Sequence, residues 1–358
     1  MALILGLCVL LYALAALLRL PPALRWALPL GLYAVTLLIH VTLPEGHVLR
    51  AATGGSAVPW LFLGAIAAVV LIYREGLRRL RAKVAAKDAA TAAEAPEQGP
   101  FSASELDRYS RHIILRDIGG TGQRRLKDAR VLVIGAGGLG APALLYLAAA
   151  GVGRIGVIDN DVVEGTNLQR QVIHRDADIG TPKALSAARA MEALNPFIEV
   201  RPYNRALTEE IAADLFADYD LILDGTDNFA TRYLANRVAV AQGKPLVSGA
   251  LSQWEGQVST YDPAKGAPCY QCIVPQEPPA ELAPACAIAG VLGPLPGVVG
   301  SMMAVETVKL ITRAGQDLRG RMMIYDALWN ETRQITLKPR THCPVCGTGG
   351  LAKHTTSH

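Results

Sequence analysis

The sequence predicts an α/β domain built on a mixed, mostly parallel sheet and preceded by a helical segment that spans a membrane. Three observations carry that reading. Short β-branched runs alternate with alanine-rich stretches beyond residue 130, a glycine-rich turn succeeds the first such run, and three uncharged apolar stretches open the chain. At roughly 100 to 200 residues per domain, 358 residues allow two or three units with a sizeable core. Hydrophobic residues make up 51% and charged ones 18%, which excludes a disordered chain and exceeds the apolar content of an ordinary soluble domain.

The apolar stretches cover residues 2–18, 26–43 and 57–73, at the short end of the roughly 17–25 residues that a helix needs to cross the hydrocarbon core. A signal peptide followed by buried helices would also be apolar, but no basic residue precedes the first run and two more runs come after it. Charge sets the orientation. The first loop carries Arg19 and Arg25, the second Arg50 with Glu45, and the third run leads into Arg74, Arg78, Arg79, Arg81, Lys83 and Lys87. Basic residues near span ends stay cytoplasmic, so a multi-pass protein of the inner or plasma membrane is expected, with the α/β domain in the cytoplasm. Arg78, Arg79 and Arg81 are also suited to anionic headgroups. Residues 1–81 are thus read as a membrane segment and 82–100 as an alanine-rich linker whose first half can prolong the last helix.

Residues 1–100 hold nine Lys/Arg against five Asp/Glu, whereas residues 101–358 hold 26 of each. A neutral domain lacks the basic face that phosphate backbones require, so no nucleic-acid partner is expected. Strands are predicted at 131–134, 155–158, 198–203, 221–223 and 246–247, with helices at 139–151, 182–194, 208–216 and 228–242. Strands alternating with helices imply right-handed crossovers and a parallel sheet covered on both faces. The alternation then stops: a strand at 256–261, a helix at 298–312 and late strands at 322–325 and 332–337 make the sheet mixed.

Directly after the first strand stands Gly135-Ala136-Gly137-Gly138-Leu139-Gly140, opening a helix. Such a turn brings backbone N–H groups and a helix N-terminus close to a phosphate, and Asp159, 19 residues after Gly140 at the end of the second strand, suits ribose hydroxyls. A dinucleotide-dependent dehydrogenase is the commonest owner of that pattern. The residues beyond Asp159 argue instead for a triphosphate with Mg²⁺. Asn167-Leu168-Gln169-Arg170, Lys183 and Asp224-Gly225-Thr226-Asp227-Asn228 place cations and a carboxylate around one crevice, as a triphosphate with its metal requires.

Six cysteines divide cleanly. Cys8 lies in the first apolar run, Cys269/Cys272 and Cys343/Cys346 form two C-x-x-C pairs, and Cys286 stands alone. The two pairs supply the four thiolates of a structural Zn²⁺ site, stapling a mid-chain loop to the C-terminus. Disulfides would be the alternative, and a reducing cytoplasm disfavours them.

In order along residues 102–347 come Arg108-Tyr109-Ser110-Arg111-His112-Ile113-Ile114-Leu115, the turn from Gly135 to Gly140, Asp159-Asn160-Asp161, Asn167-Leu168-Gln169-Arg170-Gln171, Gly180-Thr181-Pro182-Lys183 and Asp224-Gly225-Thr226-Asp227-Asn228. With these motifs the sequence resembles the MoeB/ThiF/HesA family of ubiquitin-activating-type adenylyltransferases. The resemblance implies the Rossmann-like mixed sheet of the ubiquitin-activating-enzyme type and a homodimer. It implies ATP- and Mg²⁺-dependent adenylation of the C-terminal glycine of a ubiquitin-like sulfur carrier ending in Gly-Gly, with release of pyrophosphate, in molybdopterin or thiamine synthesis. Carried onto these positions, Gly135, Gly137, Gly138 and Gly140 form the nucleotide turn, with Asp161 and Asn228 beside it. Asp159 holds the ribose, Asn167, Arg170 and Lys183 the phosphates, and Asp227 the Mg²⁺, while Arg111 reaches into the partner subunit's site. Cys286 matches a cysteine that in some members attacks the adenylate or joins a persulfide relay; a small apolar loop residue is the alternative. A sulfurtransferase or cysteine desulfurase is an implied partner, and the tail, 348–358, is too short for an appended sulfurtransferase domain. The membrane segment departs from the family's soluble pattern. Two other readings stand beside this one: a related ATP-dependent enzyme acting on a small molecule or a modified tRNA base, and a membrane scaffold without activity. His112 and His174 are expected to make ordinary polar contacts, and Trp254 and Trp329 to be core or dimer-surface aromatics.

Overall fold

The computed structural model describes residues 2–18, 21–94, 99–279 and 290–347. The chain divides into two compact units, Met1–Gln98 and Gly99–His358.

In the first unit the helices are α1 (Ala2–Leu17), α2 (Pro22–Thr42), α3 (Val48–Thr53) and α4 (Val58–Glu94). Segments Leu24–Thr42 and Val58–Arg81 are long and apolar enough to cross a membrane, whereas the first apolar helix is shorter. Their outward surface is greasy: Val41, Val69 and Ile72 are among the exposed side chains. A polar knot ties α2, α3 and α4 at one end. The Trp60 indole donates to the Thr53 carbonyl at 3.1 Å, the Tyr33 hydroxyl donates to the Trp60 carbonyl at 2.7 Å, and His40 Nε2 lies 2.9 Å from Thr53 Oγ1. The first half of the alanine-rich stretch prolongs α4, as expected, and the helix runs as far as Glu94, because alanine has the highest helix propensity of any residue.

The second unit begins with short helices α5 (Ala103–Arg108) and α6 (Ser110–Ile114) and with α7 (Gly119–Asp128). Its sheet contains β1 (Arg130–Ile134), β2 (Arg154–Ile158), β3 (Glu199–Tyr203), β4 (Leu221–Asp224), β5 (Leu246–Leu251), β6 (Glu255–Tyr261), β7 (Arg321–Asp326) and β8 (Glu331–Thr336). The order is β3-β2-β1-β4-β5-β6-β7-β8, parallel from β3 to β5 and antiparallel thereafter. The remaining α-helices among the described residues are α8 (Gly140–Ala150), α9 (Lys183–Leu194), α10 (Glu209–Ala217), α11 (Phe229–Ala241), the single turn α12 (Tyr270–Ile273) and α13 (Pro294–Thr312).

Alternation along each strand sends neighbours to opposite faces. Val131 and Val133 pack with Leu144, Leu147, Met191, Val299 and Met303, whereas Leu132 and Ile134 pack with Phe216, Tyr219, Ala235 and Ala239. Helices α8, α9 and α13 therefore cover one face of the sheet and α10 and α11 the other. By length and composition α13 too is apolar enough to cross a membrane, but Leu295, Val299 and Met303 are buried in the core beside the sheet. It starts earlier than predicted because Pro294 and Pro296 fall in its first turn, where a missing N–H costs nothing. Strand β8 is exposed along its length and ends the sheet with Glu331 and Arg333, charges that discourage edge-to-edge pairing.

Strand order reverses direction on either side of β1. In open α/β sheets that reversal leaves a crevice at the carboxyl ends of the strands, here between β1 and β4.

Candidate active site

A cleft of about 1140 Å³ occupies this crevice, lined by Gly135, Gly137, Gly138, Asp159, Asp161, Arg170, Lys183, Asp227 and Asn228 among others. The turn after β1 is possible only with glycine at two places. Gly135 has φ +91°, and a Cβ on Gly140 would lie 1.9 Å from the Gly135 carbonyl oxygen, so the chain doubles back on itself where α8 begins. Gly135 N–H donates to the Ile158 carbonyl and Gly225 N–H to the Ile134 carbonyl, which fixes the turn to the ends of β1 and β2.

Asp159 comes directly after β2. One of its carboxylate oxygens accepts from the Ala136 N–H and the other from the Asp161 N–H, both at 2.8 Å. Each oxygen keeps a lone pair free for a sugar hydroxyl. Lys183 opens α9 with a nearly buried side chain, and its ammonium donates to Asp161 at 2.8 Å. Arg170 donates to the Thr166 carbonyl at 3.3 Å and to Asn167 Oδ1 at 3.1 Å, so two anchors hold the guanidinium at the cleft wall. Asn167 does not itself line the cleft. Its carboxamide props Arg170 and reaches Glu164 at 3.4 Å, beside the cation at the cleft wall.

The loop after β4 separates two carboxylates that are neighbours in sequence. Asp224 is buried and accepts from Thr226 N–H at 3.0 Å, Thr226 Oγ1 at 2.6 Å and Ser248 Oγ at 3.1 Å. The Arg232 guanidinium lies 3.8 Å away and also donates to the Thr226 and Gly249 carbonyls. Asp227 is exposed in the cleft, a carboxylate left available for a cation. Magnesium is commonly held by one or two carboxylates together with substrate phosphates, and Asp227 fits that donor set. Asn228 also lines the cleft, but its Oδ1 accepts the Thr231 N–H at 2.9 Å as the N-cap of α11, leaving its amide N–H groups for a ligand.

The cleft continues past the nucleotide residues. Ser248 and Ala250 on β5 with Gln257, Ser259 and Tyr261 on β6 share one face of the sheet and floor this arm. Three of these five side chains are small, which leaves a groove suited to an extended chain. Arg205, Arg232 and Trp254 line the cleft as well, and no sequence motif singles them out. For Arg232 a signal exists, since four residues past Asn228 on a helix returns the side chain to the face beside Asp224. Trp254 and Trp329 are both exposed, so neither is a core aromatic. Arg111, on α6, is exposed and lies outside the cleft of its own chain.

His174 is buried, with Nε2 3.0 Å from the Ala136 carbonyl oxygen and Nδ1 2.9 Å from Ser186 Oγ. It braces the glycine turn from behind. His112 lies 3.2 Å from Gln123 Oε1. Burial lowers the His174 pKa from its ordinary 6.5. Below that value the unfolded chain binds the proton that the folded chain refuses, so stability is full above about pH 6.5 and falls as the pH drops further. Urea unfolding measured from about pH 7.5 to about 5 should show this decline in the parent and a flatter profile in His174→Gln.

Cys269, Cys272, Cys343 and Cys346 converge, their sulfurs all within 4.8 Å of one another. The separations are 3.9 Å for Cys269–Cys272, 3.5 Å for Cys269–Cys343 and 3.3 Å for Cys272–Cys346. Four sulfurs at about 2.3 Å from one tetrahedral ion stand roughly 3.8 Å apart, so the cluster could hold a metal. Although burial opposes it, backbone N–H groups of Cys346 and Val345 lower the Cys343 thiol to about 7. Cys286 lies outside the described residues.

The model of the ThiF family matches residues 109–345. A sulfur carrier protein adenylyltransferase of Thermus thermophilus is 49% identical over 251 residues, covering 69% of this chain and 93% of that protein. The SAMP-activating enzyme E1 of Haloferax volcanii is 49% identical over 251 residues, covering 70% and 92% respectively. A probable adenylyltransferase/sulfurtransferase, MoeZ, of Mycobacterium tuberculosis is 54% identical over 247 residues, and the match covers 68% of this chain and 63% of that protein. Among solved structures, E. coli MccB with MccA-N7isoASN superposes with a TM-score of 0.60 at 22% identity, over 71% of this chain and 77% of that one. That last likeness is one of fold.

Proposed function

The chain belongs to the ThiF family, and from that premise we propose that its cleft joins ATP to the C-terminal glycine of a ubiquitin-like sulfur carrier as an acyl adenylate. It is an adenylyltransferase, as its relatives are, serving molybdopterin or thiamine synthesis. The observation that carries the mechanism is the continuity of one cleft from Asp159, Arg170, Lys183 and Asp227 to the small-residue floor of β5 and β6. One end suits a nucleotide and the other an extended peptide tail.

The reaction needs no general base, because a carboxylate is already a nucleophile. An oxygen of the terminal glycine attacks the α-phosphorus, the bond from that phosphorus to the bridging oxygen breaks, and pyrophosphate leaves with the electron pair. The protein supplies alignment and charge stabilisation. Asp159 fixes the ribose, the glycine turn offers backbone N–H groups, and Arg170 and Lys183 offset charge on the phosphate oxygens. Lys183 enters the cycle paired with Asp161 and exchanges that partner for phosphate. Asp227 would hold Mg²⁺, which when bound neutralises phosphate charge. The four cysteines would hold a structural Zn²⁺. ATP–pyrophosphate exchange tests the reading: exchange that requires a carrier ending in Gly-Gly supports it, and exchange that proceeds with a small-molecule carboxylate in place of any carrier favours a small-molecule substrate.

The functional unit in this reading is a homodimer, with Arg111 entering the partner subunit's cleft. Its exposure on α6, outside its own chain's cleft, supports that arrangement. Mixing Arg111→Ala with Asp227→Ala subunits should then regain about a quarter of the parental exchange, since half of randomly paired dimers carry one intact site. No gain on mixing, with each variant impaired alone, would rule out Arg111 acting in the partner subunit's cleft. The N-terminal helices would anchor the enzyme in the inner or plasma membrane, with the cleft in the cytoplasm. Their length, apolar exterior and the basic run from Arg74 to Lys87 favour this.

A further inference from the structure

The cysteine cluster and the cleft share a wall. Cys269 and Cys272 belong to the metal-competent cluster, yet Tyr270, which stands between them in sequence, lines the cleft together with Ile273. The single turn α12 with its N-cap Cys269 thus meets the four sulfurs through Cys269 and Cys272 and the peptide arm through Tyr270. Two further contacts lock it in place. The Tyr270 N–H donates to Asn236 Oδ1 at 2.8 Å in the interior, and Asn236 sits one turn beyond Arg232 on α11, the helix that begins just after Asp227. The Tyr270 ring meets the rings of Tyr233 and Tyr261 edge to face, with centroids 5.5 and 5.7 Å apart. Tyr261 is itself part of the arm's floor.

We infer that Tyr270 is a positioning residue for the acceptor, through which assembly of the four-cysteine cluster sets how tightly the carrier's tail is held in the cleft. The inference rests on the adenylation reading and deepens it. Two side chains three residues apart in one turn cannot both meet the cluster unless the backbone between them is fixed, and from that backbone the buried Tyr270 side chain forms part of the cleft wall. Separation of the sulfurs releases the turn, the tyrosine withdraws from Tyr261, and the arm loses a wall. The nucleotide end depends on β1, β2 and the loop after β4, none of which carries a cysteine of the cluster, so ATP binding is untouched.

The test uses the full-length protein in detergent. Binding of a sulfur-carrier protein ending in Gly-Gly is measured by calorimetry in the presence of a non-hydrolysable ATP analogue, alongside affinity for the analogue alone and bound metal by elemental analysis. Tyr270→Ala should weaken carrier binding at least about tenfold, leave analogue affinity within about twofold and retain the metal; Tyr270→Phe should restore carrier binding. Chelation of the parent should reproduce the loss seen with Tyr270→Ala. Carrier binding that survives Tyr270→Ala or chelation overturns the inference, and so does an equal loss of analogue affinity, which would mark a general structural role. Parental protein that binds the analogue but no carrier at all contradicts the adenylation reading instead, so the two failures are distinguishable.

Discussion

Replacing Asp227 by alanine is expected to lower carrier-dependent ATP–pyrophosphate exchange by about 10²–10³-fold, the range seen when one preorganised electrostatic group is removed from a transition state. Folding should be nearly unaffected, within about 0.5 kcal/mol, as for other exposed positions. Asp227 is exposed at the cleft, whereas Asp224, three residues earlier, is buried against Arg232 and Ser248. The two carboxylates should therefore fail in different ways. Asp224→Ala strands the Arg232 guanidinium in the interior and should cost about 3–5 kcal/mol of stability. Exchange assays paired with urea unfolding separate the outcomes. Parental exchange in Asp227→Ala would remove that residue from the chemistry.

Cys343→Ser is expected to have the largest effect on stability. The cluster joins the turn after β6 to the segment after β8, with 70 residues between Cys272 and Cys343, so it closes a long loop. Structural zinc contributes apparent binding free energies of about 10–16 kcal/mol in small zinc domains, and here the sheet supplies stability of its own. The variant should lose its metal and unfold at least several degrees lower than the parent. Elemental analysis and a thermal melt check both expectations. A variant that keeps one metal per chain and the parental melting temperature would show that the four sulfurs do not act as a ligand set.

Much of this architecture is legible in the residues. The β-branched runs at 131–134, 155–158 and 221–223 fall inside β1, β2 and β4 because strands buried on both faces must be apolar at every position. The glycine turn and Asp159 occupy their expected places because only a backbone without Cβ atoms closes the Gly135–Gly140 approach. The features that sequence leaves hidden depend on tertiary contact. Helix α7 begins Gly-Gly-Thr-Gly and has a single buried leucine, Leu126, so helix propensity does not announce it. It is held instead by Gln123 donating to the Ala150 carbonyl and Arg125 to the Thr312 carbonyl. The stretch 82–100 is legible in part: its alanine-rich first half is expected to prolong the last helix and does, but with Val84 as its one large apolar residue nothing in it marks where that helix stops, at Glu94. In the site, motif spacing locates Asn167 near the phosphate cations without saying that its carboxamide turns toward Arg170. Tyr270 is hidden between two cysteines whose spacing already has an explanation.

The central claim is that the cleft builds an acyl adenylate on a protein C-terminus, and transfer of label from ATP carrying ³²P at the α-phosphate tests it most directly. The full-length enzyme is incubated with labelled ATP, Mg²⁺, inorganic pyrophosphatase and a sulfur carrier ending in Gly-Gly, and the carrier is separated under mild acid. Label should travel with the carrier, vanish when its last glycine is deleted, and be released as AMP by hydroxylamine. Label recovered only as free AMP or on a small molecule, with the intact carrier present and ATP consumed, would contradict the account.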